Sequence, residues 1–202
     1  MKRRDPHQWV KERGRDEYFI KAKKEGYRAR SYHKLIEIQN KFNLIAKNSN
    51  VLDLGAAPGA WLQVCRKLTQ GVVNGIDLLE IEAIYNVDTL KADIFDNATQ
   101  EFIEGKSFNV ILSDMAPNCS GKKEHDHLIL VNLVHKVLEL SAMHLVEGGN
   151  MCAKIFDGFC VPDLIEQWKM RFEEVKRFKP KSSKLDNSEF YLIGLGFKKL
   201  DV

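Results

Sequence analysis

Short apolar runs alternate with segments of helical period along most of this 202-residue chain, and few folds accept that alternation. Residues 50–54, 72–76, 91–95, 108–113, 151–156, 175–178 and 190–195 read as strands, the third of them the weakest. Residues 30–42, 59–68, 98–104, 127–145 and 162–172 carry apolar side chains at three- and four-residue spacing and read as helices. Strands separated by helices pair in parallel, so the pattern predicts an α/β fold, a doubly wound, mainly parallel seven-stranded sheet. Only residues 179–189 join the last two strands, too few for a helical crossover, so that pair is expected to be antiparallel. No repeat or Pro/Ser/Gly-rich linker interrupts the chain. It reads as one domain over 1–202, with 1–30 a basic arm and short helix.

The strand at 50–54 runs into Gly55-Ala56-Ala57-Pro58-Gly59-Ala60-Trp61, a glycine turn that opens a helix. In a doubly wound sheet, ligands bind at the carboxyl ends of the strands near the switch point, where glycine lets backbone approach closely. Asp77 ends the next strand, 22 residues after Gly55, where an acid can hold a ribose diol. These features fit any adenosine-containing cofactor. The dinucleotide fingerprint is incomplete, however, because alanines stand at its middle and last glycine positions. A pyrophosphate needs open amides over a helix start, whereas a cationic sulfonium does not. Asp53, Asp77, Asp93 and Asp114 make acidic surroundings that favour the cation.

The loop Ser113-Asp114-Met115-Ala116-Pro117-Asn118 follows the next strand and lacks the aromatic residue that stacks on a base in amine methylation. Carbon-5 methylation of cytosine needs a cysteine nucleophile. Cys119 lies one residue too far from Pro117 for that pattern, so it reads as a small loop residue. A ribose 2′-hydroxyl holds its proton tightly, and its methylation requires in-line geometry and a base. Lysine can serve where burial or a second cation disfavours the ammonium form. Lys154, inside the apolar strand 151–156, is the candidate base. Lys34 would be the second cation, with Asp114 orienting Lys154 and Glu189 holding Lys34. The ordinary alternatives are a snorkelling strand lysine and a solvent-facing strand glutamate.

Composition narrows the setting. Apolar content of 44% and charged content of 29% belong to a globular chain, and no apolar run approaches the ~18 residues of a membrane span. The start of the chain lacks a secretory apolar core, and its acidic residues argue against a transit peptide, so a cytoplasmic location is expected, with an organellar or nuclear one open for a eukaryotic source. Cys65, Cys119, Cys152 and Cys160 form no Cys-x-x-Cys pair, so reduced thiols are expected and no metal. The net charge of +3 conceals basic ends: residues 1–34 hold 12 Lys/Arg against 5 Asp/Glu, and residues 169–202 hold 9 against 5. An acidic body between them, −8 over 35–168, suits a rim that grips a polyanion and a centre that holds something else.

Five segments together resemble the FtsJ/RrmJ family of S-adenosylmethionine-dependent RNA 2′-O-methyltransferases. They are Arg30-Ser31-Tyr32-His33-Lys34-Leu35, Asp53 through Trp61, Ser113 through Asn118, Ala153-Lys154-Ile155-Phe156 and Ser188-Glu189-Phe190-Tyr191. The resemblance implies a Rossmann-like class I methyltransferase fold and a Lys-Asp-Lys-Glu tetrad at Lys34, Asp114, Lys154 and Glu189, with Lys154 the base. It also implies cofactor contacts from Gly55, Gly59, Trp61, Asp77, Asp93 and Asp114. Of these, Gly59 and Trp61 would lie at the methionine end, Asp77 at the ribose and Asp93 at the adenine amino group. S-Adenosylhomocysteine would be the product. Ala60 stands where the family often has a second glycine, and no tetrad member is missing. A chain this short resembles the members that act, as monomers, on a uridine in the aminoacyl-tRNA-binding loop of large-subunit ribosomal RNA or on the ribosomal subunit. The alternatives are a tRNA 2′-O-methyltransferase, a cytosine carbon-5 enzyme and a non-catalytic ribosome-assembly factor.

Overall fold

The computed structural model describes residues 16–117, 122–183 and 188–199. The arm before residue 16, and Cys119, lie outside the described residues. Helices α1 (Glu17–Lys24) and α2 (Tyr32–Phe42) precede the first strand, β1 (Val51–Leu54), which leads into α3 (Ala60–Leu68). Next come β2 (Val73–Asp77), β3 (Asp88–Lys91), α4 (Asn97–Ile103) and β4 (Phe108–Ser113). The chain continues through α5 (Lys123–His144), β5 (Leu145–Phe156), α6 (Val161–Arg171), β6 (Phe172–Phe178) and β7 (Glu189–Phe197). The seven strands form one sheet in the order β3-β2-β1-β4-β5-β7-β6. Strands β3 through β5 pair in parallel, and β7 inserts antiparallel between β5 and β6, as the short connector requires.

Side-chain alternation along the strands divides the core into two layers. Leu52, Leu54, Ile111, Met151 and Leu192 pack against Val134, Val137 and Leu140 of α5 and Leu164 and Trp168 of α6. Val51, Leu112, Cys152 and Ile193 face the other way, against Leu35 and Ile38 of α2 and Trp61, Leu62 and Val64 of α3. Helices on both faces of a mostly parallel sheet make it doubly wound, and the carboxyl ends of β1, β2, β4 and β5 share one rim.

Several boundaries differ from the sequence expectation: α5 begins at Lys123 rather than 127 and β6 at Phe172 rather than 175, and two strands shift further. The third strand is Asp88–Lys91 rather than 91–95. It is an edge strand paired only with β2, so its register follows from Asn74↔Asp88 through Asp77↔Lys91, and no apolar alternation marks it. Ile94 and Phe95, the apolar residues behind that expectation, follow the strand and line a cavity. The fifth strand begins at Leu145 instead of 151. Leu145 pairs with Phe108 and Asn150 with Val110, so Val146–Gly149 bulge out between them, with Gly148 at φ 73°.

Candidate active site

The site lies on the rim and is built from strand ends. Gly55 follows β1 at φ 77°, and a β-carbon there would sit 2.6 Å from the Met115 side chain, so the close crossing of these two loops requires glycine. Gly59, at φ 101°, starts α3, and a β-carbon there would meet the Arg28 guanidinium at 2.8 Å. Asp77 closes β2 and braces the turn. One carboxylate oxygen accepts from the Ala57 amide at 2.9 Å, the other from the Leu79 amide at 2.8 Å. Asp93 caps its own loop by accepting from the Phe95 amide at 3.1 Å.

Gly55, Ala57, Asp77, Asp93 and Asp114 line one cavity of about 440 Å³, whose apolar wall includes Ile94, Phe95 and Leu133. Gly59 and Trp61 do not line it. Gly59 packs against Arg28, Ile81 and Ile84. Trp61 is buried in the layer beneath, donating its indole N–H to the Ser31 carbonyl at 2.8 Å with its ring 5.8 Å from that of Tyr191. Arg28 holds the turn from outside. Its guanidinium donates to the carbonyls of Pro58 (3.0 Å), Glu82 (2.7 Å) and Ala83 (3.0 Å), tying the β1–α3 turn to the loop after β2.

Lys34, Asp114, Lys154 and Glu189 come together beside this cavity. Lys154, on β5, has only 7% of its side chain exposed and donates from Nζ to the Asp114 backbone oxygen at 2.5 Å and to Oδ1 at 2.9 Å. Lys34, on α2, donates to Glu189 Oε1 at 2.5 Å, and Glu189 is buried rather than facing solvent. The two pairs meet through Tyr191, which lies opposite Lys154 in the β5–β7 register. Its hydroxyl donates to Asp114 Oδ1 at 2.7 Å, and Lys34 Nζ stands 5.7 Å from the centre of its ring. Period two explains the assembly: Glu189 and Tyr191 share a face of β7 with Ile193, as Lys154 shares a face of β5 with Cys152.

The electrostatics follow from these contacts. Burial pushes the Asp114 carboxyl up, but the charges of Lys154 and Lys34 and the hydrogen bonds from Lys154 and Tyr191 outweigh it and hold Asp114 below the usual carboxylate range. Burial and the neighbouring Asp114 and Glu189 raise the Tyr191 phenol far above its ordinary value, so it stays a donor. Asp53 lies fully buried on β1 with neither oxygen hydrogen-bonded among the described residues; burial, then the charges of Asp114 and Asp77, push its carboxyl well up. The buried thiols of Cys65 and Cys152 are likewise raised, chiefly by burial. They are packing residues, consistent with reduced cysteines.

Tyr191, Arg28 and Glu37 have no role that sequence reasoning assigns. Tyr191 could be found as the residue two beyond Glu189 on the same strand face. Glu37, three residues beyond Lys34 on α2, accepts from the Lys181 amide at 2.7 Å and the Ser182 amide at 2.9 Å. Arg30 pairs with Asp16 and donates to the Ser182 carbonyl at 2.5 Å. Arg30, just before α2, and Glu37 on it thus hold the β6–β7 connection, Lys34 between them holds the first residue of β7, and two arginines of the basic amino-terminal segment work inside the fold.

Known proteins share this architecture. Residues 27–197 match the model of the FtsJ-like methyltransferase family. Two proteins named ribosomal RNA large subunit methyltransferase E are similar. One, from Methanothrix thermoacetophila, is 42% identical over 89% of this chain and 72% of its own length. The other, from Oleidesulfovibrio alaskensis, is 42% identical over 92% of this chain and 93% of its own. A crystal structure assigned to a ribosomal RNA methyltransferase from Plasmodium falciparum superimposes with a TM-score of 0.75 at 30% identity, covering 85% of this chain and 98% of that one. A Streptococcus mutans protein assigned as a methyltransferase and crystallised with SAH shares the fold at a TM-score of 0.56 and 15% identity, over 80% and 97% of the two chains. The chain belongs to the FtsJ-like methyltransferase family.

Proposed function

We propose that this protein methylates the 2′-hydroxyl of a ribose in RNA, using S-adenosylmethionine, and that its substrate is large-subunit ribosomal RNA, at a uridine of the aminoacyl-tRNA-binding loop. One observation carries the reading. Asp114 belongs to both halves of the site, lining the cavity with one surface and accepting a hydrogen bond from Lys154 Nζ with its carboxylate. A donor in the cavity and a base at the rim are therefore one residue apart. The relatives named for ribosomal RNA support the substrate class.

The cavity residues fit the cofactor. Asp77 spends one lone pair per oxygen on the backbone and keeps others for a ribose diol. Ile94, Phe95 and Leu133 offer an apolar wall to an adenine, with Asp93 beside them. Asp114 supplies negative charge where a sulfonium would lie. When bound, S-adenosylmethionine supplies an electrophilic methyl group on a cationic sulfur.

The residues of this chain do the rest. Lys154, in its neutral amine form, accepts the proton of the 2′-hydroxyl as the oxygen becomes nucleophilic. Asp114 fixes the direction of Lys154 Nζ with two acceptors, and the Tyr191 hydroxyl fixes Asp114. Lys34 places a second positive charge near the same point, and Glu189 keeps Lys34 from swinging to solvent.

Alkaline hydrolysis of RNA labelled from methyl-tritiated cofactor tests the reading. A 2′-O-methyl group blocks cleavage of the following phosphodiester, so the label should elute in an alkali-resistant dinucleotide. Label released as a mononucleotide would mean that a base had been methylated.

A further inference from the structure

A second cavity, of about 360 Å³, opens on the far side of Glu189 and is lined also by Asp157, Arg177, Phe178, Lys179 and Ser188. It shares Glu189 with the lysine cluster, so it continues the proposed ribose site along the rim. The guanidinium of Arg177 sits over the ring of Phe190, 4.0 Å from its centre, and its edge is held by Asp157 Oδ1 at 3.1 Å from Nη2. Phe190 is buried, whereas the Arg177 side chain keeps 48% of its surface exposed.

We infer that this cavity seats the base of a nucleotide next to the methylated ribose, stacked on the outer face of the Arg177 guanidinium. The inference rests on the proposed RNA reading and adds to it a substrate contact. A guanidinium plane with an aromatic ring beneath it and a carboxylate at its edge is already immobilised, so a base that stacks on it loses little to ordering side chains. A lysine would offer charge without a plane. Asp157 repels phosphate from one wall, which leaves the uncharged face of a base as the better occupant there. Stacking of this kind tolerates any base, so the subsite helps to hold an unpaired strand and leaves the choice of sequence to other contacts.

Fluorescence anisotropy with two probes of equal charge, labelled decauridylate and an abasic ribose-phosphate decamer, tests this on the full-length protein. Arg177→Lys should weaken binding of decauridylate about tenfold and leave the abasic decamer unchanged. Affinity for S-adenosylhomocysteine should not move, since Arg177 does not line the cofactor cavity, and the melting temperature should change little, since lysine keeps an aliphatic stem and a cation beside Phe190. Equal losses on both probes would show a phosphate contact and overturn the inference, as would no loss on either. Alkali-labile methylation by the wild-type enzyme would instead sink the 2′-hydroxyl reading while leaving this ratio intact.

Discussion

Two aspartates, one on β1 and one just past the end of neighbouring β4, show how environment assigns roles. Asp114 is held low by two lysines and a phenol, so its share of stability is present above the unfolded carboxylate pKa and is lost as pH falls through the lower folded value. Removing the Tyr191 donor with Tyr191→Phe should raise the Asp114 pKa and move the acidic limb of the pH–rate profile upward. An unmoved limb would mean the hydroxyl does not bear on Asp114. Asp53 is the reverse case. Its raised folded pKa means that the unfolded chain releases the proton first, so its contribution falls as pH rises from the unfolded value toward the folded one. Asp53→Asn should therefore raise the melting temperature at pH 7, with the gain shrinking toward pH 4. A gain independent of pH would contradict the burial of a neutral acid there.

At the scale of elements, Glu37 on α2 and the Arg28 clamp do separate work. Glu37→Ala leaves two backbone amides of the β6–β7 connection without their acceptor, a cost of about 1–3 kcal/mol. Trypsin should then cut after Lys181 faster than in the wild type, and an unchanged cleavage rate would show that the connection is held by other means. Arg28→Ala releases three carbonyls that join the cavity turn to its neighbour loop. Affinity for S-adenosylhomocysteine should drop on the order of tenfold by calorimetry, with the Lys154–Asp114 pair untouched.

Most elements are legible in the sequence because apolar periodicity marks buried strands and helices directly. The exceptions are instructive: β3 is an exposed edge whose register is imposed by β2, and the start of β5 depends on pairing with Phe108 across a bulge. Within the site, Lys34, Asp114, Lys154 and Glu189 are legible through short segments that resemble a family. Arg28 and Glu37 are not, because their partners are backbone groups 30 to 145 residues away, which carry no side-chain signature.

For the whole molecule, the described part of the basic segment, residues 16–34, divides between the fold and the surface. Its charge suggests an RNA grip, but Arg28 and Arg30 are committed inside the fold, which leaves Lys21, Lys23 and Lys24 exposed on α1. Lys2, Arg3, Arg4 and Lys11 lie outside the described residues, and their charge alone makes them candidates for contact with RNA phosphates. Neutralising those four should weaken RNA binding and flatten its dependence on salt, by up to about 0.7 in log–log slope for each single-strand phosphate that loses its cation. An unchanged slope would remove the arm from the RNA interface.

Lys154, fixed by Asp114 at the rim of the cofactor cavity, takes the ribose proton in this account. Single-turnover methyl transfer to RNA, with cofactor affinity measured on the same preparations, tests that role most directly. Lys154→Ala should slow transfer by about 10²–10⁴-fold and change affinity for S-adenosylhomocysteine only slightly. Transfer at the wild-type rate, or a loss explained by weaker cofactor binding, would contradict it.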